Sequence, residues 1–191
     1  MTGLLGMGFA DPVHDAQTNF RAILDAMSRP GRIVQVTGVT PPPSLDPATA
    51  AALLTLTDHE TKIWLDPRAM AAREWLAFHC GVSFTADLDT CAFAVALALP
   101  DLTQLPAGSH EEPETSATVI CQVAGFGTGL AFRLTGPGLR EPETLRIQGL
   151  PDDFDAIWQD NHALFPRGID LILCAGDCLT ALPRTVAIQK G

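Results

Sequence analysis

Basic side chains are scarce in this sequence. Of 191 residues, twelve are lysine or arginine against 22 aspartates and glutamates, and the formal net charge is −10. Lys62 and Lys190 are the two lysines, and the arginines are scattered without forming a basic stripe. Clustered Lys and Arg hold the phosphate backbones of nucleic acids, so this scarcity argues against DNA or RNA as the main partner. Long apolar runs are missing too. No stretch reaches the roughly 18 residues of a membrane-spanning helix. The opening MTGLLGMGFADP has no basic start and too short an apolar run for a secretory signal. Five cysteines, Cys80, Cys91, Cys121, Cys174 and Cys178, fall at irregular spacing with no CxxC pair. Most sit in apolar runs such as CAFAVALAL and DLILC, which reads as reduced core thiols in a cytoplasmic protein. Internal repeats and low-complexity tracts are absent.

What is present is the make-up of a folded domain. The length predicts one domain over residues 1–191, able to bury roughly 70% of the surface its unfolded chain exposes. Apolar residues are 47% and charged residues 18%, so a lightly charged surface has room for apolar contact with other chains. Residues 1–12 read as a loose lead-in closed by Pro12. A helix follows, with Asp15 as candidate N-cap and Phe20, Ile23, Leu24 and Met27 as one apolar stripe, stopped by Pro30-Gly31. RIVQVT (32–37) reads as a strand, PATAAALLTLT (47–57) as a helix buried on most sides, and TKIWL (61–65) as a strand. Asp66-Pro67 is an N-cap followed by proline at the first helical position, and Gly81 closes that helix. CAFAVALAL and ATVICQVA are too apolar for half-wet strands and predict strands covered on both faces. Gly125, Gly127 and Gly129 read as a tight hairpin turn, and TLRIQGL as a short strand. Asp152 to Asn161 is a helix with Phe154, Ile157 and Trp158 inward. IDLILCAG reads as a central strand, and LTALPRTVAI as a last strand whose Pro183 marks an edge or bulge. Helices interleaved with strands, then clustered strands, predict an α/β fold: a three-layer α/β/α sandwich around a mixed sheet.

No catalytic constellation stands out. The glycines of GFGTG are followed by a strand, so they do not make a dinucleotide-binding turn. His110, Glu111, Glu112 and Glu114 crowd one loop stiffened by Pro113, which reads as a solvated acidic loop or docking patch before a metal site. Cys174 and Cys178 lack two further zinc ligands. The better candidates lie in turns at strand ends. In LTGPG, Gly136 and Gly138 flank Pro137, with Arg133 nearby and Arg184 in the ALPRT turn; together they are candidates to hold a phosphate or a partner's carboxylate. Asp170, at the start of IDLIL, is a candidate to order them. The competing reading is of surface arginines paired with local acids.

Three segments, taken in order, carry a family resemblance: FRAILDAMSRPGR (20–32), GSHEEPETSATVICQV (108–123) with LTGPG (134–138), and FPRGIDLILCAGDCLTALPRT (165–185). Together they resemble the PhnH family of the bacterial carbon–phosphorus lyase system, from about Pro12 to Thr185. The resemblance implies a shortened pyridoxal-phosphate-dependent transferase fold without the cofactor. It also implies partnership with PhnG, PhnI and PhnJ in a core complex, and a homodimer when isolated. With PhnG, PhnI and PhnL, such a subunit takes part in making ribose 1-methylphosphonate 5-triphosphate from ATP and methylphosphonate. The alternatives are a free-standing transferase, pyridoxal-type or phosphotransferase, and a homodimeric binding module. A pyridoxal enzyme needs a Schiff-base lysine; Lys62 reads as an exposed strand-end residue and Lys190 lies next to the C-terminus.

Overall fold

The structure, a computed structural model, describes residues 6–191. Four parallel strands form its centre: β2 (Lys62–Leu65), β4 (Phe93–Ala96), β5 (Thr118–Gln122) and β8 (Asp170–Ala175). Their residues alternate between two apolar cores. In β8, Ile172 and Cys174 face one core and Leu171 and Leu173 the other; in β5, Ile120 opposes Val119 and Cys121. Strands apolar at every position are stable only with both faces covered, so the covered strands expected from CAFAVALAL, ATVICQVA and IDLILCAG are present. β3 (Ser83–Thr85) adds in parallel beside β2. β9 (Cys178–Leu182) pairs antiparallel with β8, and β1 (Val34–Gln35) antiparallel with β9. The mixed sheet runs β1-β9-β8-β5-β4-β2-β3.

One face is covered by α1 (Pro12–Ser28), α2 (Pro47–Leu56) and α3 (Arg73–Cys80). Six consecutive residues of α2, Ala48 to Leu53, are buried, four of them alanines, which lets the helix lie close to both α1 and the sheet. The other face departs from the expected sandwich. Its cover is only partly helical: α4 (Phe154–His162) shares it with a three-stranded antiparallel sheet of β6 (Gly125–Thr135), β7 (Glu143–Gln148) and β10 (Ala187–Lys190), ordered β10-β6-β7. The alternation of these strands explains this. Phe132, Leu134, Leu145 and Ile147 point inward while Arg133, Thr144 and Arg146 are exposed. A sheet with one apolar face must bury it against another layer.

Several local expectations are corrected. The N-cap of α1 is Asp11, whose Oδ1 accepts the His14 N–H at 3.2 Å; Asp15 Oδ2 instead accepts the Asp11 N–H at 3.0 Å. Pro12 opens the helix because its missing N–H is not needed there. Of the lead-in expected over 1–12, residues 1–5 lie outside the described residues, and Gly6 offers its carbonyl to His79 Nε2 at 3.3 Å. In the α1 stripe Ile23 is buried, but Phe20 and Leu24 are exposed. RIVQVT contributes only a two-residue strand.

The glycines of GFGTG lie within β6. Phe126 and Leu130 both oppose Ile147, so the residues between them bulge out. Gly129 has φ +82°, and a Cβ there would stand 2.4 Å from the Ile147 carbonyl oxygen. LTALPRTVAI splits into β9 and β10, in different sheets, because Pro183 lacks the N–H to continue the ladder and the Val186 N–H turns back to its carbonyl at 2.9 Å.

Candidate functional site

Open α/β sheets hold ligands outside the carboxyl ends of their strands, where the strand order reverses. Here the chain passes from β2 outward to β3 and returns to β4 on the other side of β2, so that crevice lies between β2 and β4. Asp66 fills it. Its N–H donates to the Val95 carbonyl at 2.9 Å, and its carboxylate accepts the Leu97 and Arg68 N–H groups at 3.1 and 2.9 Å. The Arg68 guanidinium adds bonds of 3.0 and 2.6 Å. The ends of β5 and β8 are overlaid by the loop before α2: Gln122 accepts the Asp46 N–H at 2.7 Å and donates to the Ser44 carbonyl at 3.3 Å, and Asp46 accepts the Gly176 N–H at 3.0 Å.

This network has electrostatic consequences. The Arg68 hydrogen bond, followed by the backbone N–H groups of Arg68 and Leu97, holds Asp66 down to about 2 against its burial. The adjacent Cys121 thiol is pushed up to about 12, first by burial and then by the Asp66 charge. A depressed carboxylate stabilises the fold above its unfolded value near 3.8 and loses that contribution as pH falls through about 2. Asp66→Asn is therefore expected to be less stable than the parent by a constant margin above about pH 5. That margin should shrink steadily as denaturant titrations are repeated from pH 4 toward 2. A margin independent of pH would refute the assignment.

Neither lysine reaches the carboxyl edge. Lys62 is exposed at the amino end of β2, and Lys190 donates to the Asp152 carbonyl at 2.7 Å from the rim of the small sheet. The residues at the strand ends therefore do not fit a pyridoxal group, which needs an amine there.

Asp170 and Arg184 are brought together as an ion pair, which is the competing reading of an arginine paired with a local acid. Arg184 donates from Nε and Nη2 to the Asp170 carboxylate at 3.2 and 2.6 Å and from Nη1 to the Pro113 carbonyl at 2.7 Å; its backbone N–H adds 2.7 Å to the same carboxylate. The two side chains are only 14% and 15% exposed, so the pair is largely closed to solvent. Gly136 lies beside Thr185, where a Cβ would stand 3.0 Å from that carbonyl oxygen. Gly138 lies elsewhere, against the end of α1: a Cβ there would stand 2.2 Å from the Ser28 carbonyl oxygen. Arg133 projects from the exposed face of β6. The five candidates are thus distributed between the Arg184 turn, the end of α1 and the outer face of the small sheet.

The acidic loop is held from beneath by Arg184 through Pro113, while Ser109 Oγ accepts the N–H groups of Glu111 and Glu112 at 3.2 and 2.9 Å. Among the described residues no three His, Cys, Asp or Glu side chains converge as a metal site.

The three sequence segments now acquire a common physical role. The second and third meet where Arg184 joins Asp170 to Pro113, and the Gly168 N–H donates to the carbonyl of Ala107, just before the second segment, at 2.9 Å. The first meets LTGPG where Gly138 touches Ser28 and Gly31 approaches Leu134. Residues 7–189 match the family described as bacterial phosphonate metabolism protein (PhnH). The chain belongs to the PhnH family. It is 39% identical over 188 residues to the alpha-D-ribose 1-methylphosphonate 5-triphosphate synthase subunit PhnH of Rhizobium meliloti, covering 95% of this chain and 94% of that protein. It is also 35% identical over 176 residues to HtxG of Stutzerimonas stutzeri, provisionally named a C-P lyase subunit, covering 91% and 85% of the two chains.

In this PhnH-family chain the contact between the first segment and the turn after β6 opens a groove of about 740 Å³, lined by Arg29, Arg32, Gly138, Arg140, Glu141 and Glu143 among others. Sequence reasoning missed it. SRPGR and GPGLRE are separated by more than half the chain, and neither is a basic cluster alone. The detectable signal was a Pro-Gly turn with an arginine within two residues in both places, in a chain with only two lysines.

Proposed function

We propose that this chain is an accessory subunit of the cytoplasmic assembly that makes alpha-D-ribose 1-methylphosphonate 5-triphosphate, within phosphonate catabolism. The observation that carries this reading is its match to the Rhizobium meliloti synthase subunit along nearly the whole of both chains. The strand ends agree with it: where an enzyme of this architecture keeps its ligand, Asp66 pairs with Arg68, and beside it Asp46 and Gln122 bond to each other over the ends of β5 and β8. The chain then contributes surface to partners equivalent to PhnG, PhnI and PhnL for the synthase step and to PhnJ for later cleavage of the carbon–phosphorus bond. Val13, Phe20 and Leu24, exposed along α1, supply apolar area suited to such contact. A free-standing pyridoxal transferase is disfavoured by the positions of both lysines.

The test is reconstitution. Purified PhnG, PhnI and PhnL partners, ATP and methylphosphonate are combined with and without this chain, and adenine release is followed. Release is expected to depend on the chain, while the chain alone releases none. Undiminished release on its omission, or turnover by the isolated chain, would contradict the accessory reading.

A further inference from the structure

From the groove between the end of α1 and the turn after β6, we infer a binding site for a small organic polyphosphate. The argument starts from charge. This is a chain of net charge −10 with twelve basic residues, yet Arg29, Arg32 and Arg140 line one groove. Two of the three guanidinium groups are held in place by a single acid. Asp25 accepts Arg29 Nη1 at 2.5 Å on one carboxylate oxygen and Arg32 Nε at 3.0 Å on the other. The arginine side chains remain 58% and 52% exposed while Asp25 is 28% exposed, and both arginines line the groove. Arg140 makes no ion pair among the described residues. Guanidinium forks match phosphate oxygens two at a time, and a pre-held fork loses little entropy on binding.

Size and the remaining lining residues narrow the class. A groove of about 740 Å³ is in the range of sites for whole organic ligands and far exceeds one phosphate. Glu141 and Glu143 stand in the same lining, so with Asp25 the acids balance the three arginines. Three arginines confined to one groove make no extended basic stripe, which argues against nucleic acid. The groove can hold phosphate groups through directed bonds on the arginine side and accept hydroxyl donors on the carboxylate side. The close approach of Gly138 to Ser28, which no larger residue permits, fixes the two walls relative to each other. The inference concerns the isolated chain and stands whether or not the subunit reading above does.

The test is calorimetric titration of the full chain with inorganic tripolyphosphate, with citrate as a non-phosphate anion of comparable charge. Saturable tripolyphosphate binding is expected, weakened about 10-fold or more in Arg140→Ala and in Arg32→Gln, each a loss of bonds to a charged group. Arg21→Gln, which removes the same charge from the exposed face of α1, is expected to bind as the parent does. Unchanged melting temperatures keep the comparison to binding; among the described residues Arg140 makes no ion pair that its loss would break. No saturable binding at millimolar tripolyphosphate, equal weakening in all three variants, no weakening in any, or equally tight citrate would each overturn the site. None of these results bears on adenine release by the reconstituted assembly, so the two readings fail separately.

Discussion

Asp170→Ala is expected to destabilise the fold by about 3–5 kcal/mol, because it leaves the Arg184 guanidinium buried without its counter-charge. The pair is only 14–15% exposed, and Asp170 accepts three bonds from Arg184. Losing them also frees the acidic loop, since the same guanidinium holds the Pro113 carbonyl. Chemical denaturation should show the loss as a lower midpoint, and limited proteolysis should cut first near residues 109–115. Removing both charges in Asp170→Leu/Arg184→Met should restore much of the stability, since a buried pair contributes little beyond an apolar replacement of similar volume. The loop would still lack its anchor in the double variant, so proteolysis and stability should separate. If Asp170→Ala unfolds at the parent's denaturant midpoint, the pair is not buried as described.

Trp158→Ala is expected to cost about 3–5 kcal/mol as well, by a different mechanism. The indole is fully buried and packs on Phe154, which in turn meets Phe132 of β6 edge-on with ring centroids 5.3 Å apart. Its Nε1 donates to the Val186 carbonyl at 2.7 Å. Three residues of α4 thereby hold the motif around the split between the two sheets. Trp158 holds Val186, His162 Nδ1 lies 2.8 Å from the Arg184 carbonyl oxygen, and Asn161 exchanges bonds of 2.9 and 2.7 Å with Ile169. At roughly 2–4 °C per kcal/mol for a chain of this size, the melting temperature should fall by about 6–20 °C. Trp158→Phe keeps most of the ring volume and strands the Val186 carbonyl, so its cost should be about 1–3 kcal/mol. Equal losses in the two variants would show that the hydrogen bond, not the ring, dominates.

Much of the architecture was legible in order along the chain. The Gly81 stop of α3 follows from capping chemistry, since Gly81 takes φ +70°; the Asp66-Pro67 start does form, with Asp66 accepting the Arg68 N–H, but it opens a 3-10 segment, Pro67–Ala72, and α3 itself begins only at Arg73. The covered strands were readable because a strand apolar at every position has one stable setting. The errors have a common origin. Asp15 and Asp11 are both plausible caps, and only the position of Pro12 in the helix separates them. GFGTG has turn composition, but whether glycines turn a chain or absorb a bulge depends on the strand opposite, here β7. Of the candidate site, Asp170 and Arg184 were each singled out in the sequence, but neither their direct pairing nor the groove of Arg29, Arg32 and Arg140 was readable, since the partners in each come from distant parts of the chain.

By itself the sequence determined the family, the covered strands, most of the helices and the strand-start position of Lys62. These depend on periods, caps and motifs spanning a few residues. Only the tertiary structure decided that β6, β7 and β10 leave the main sheet to cover it, that Asp66 and Gln122 close the strand ends, and that Arg184 reaches Pro113. Those outcomes follow from which apolar faces bury each other most completely. That free energy belongs to whole surfaces brought together across the chain, and no short window of sequence contains it.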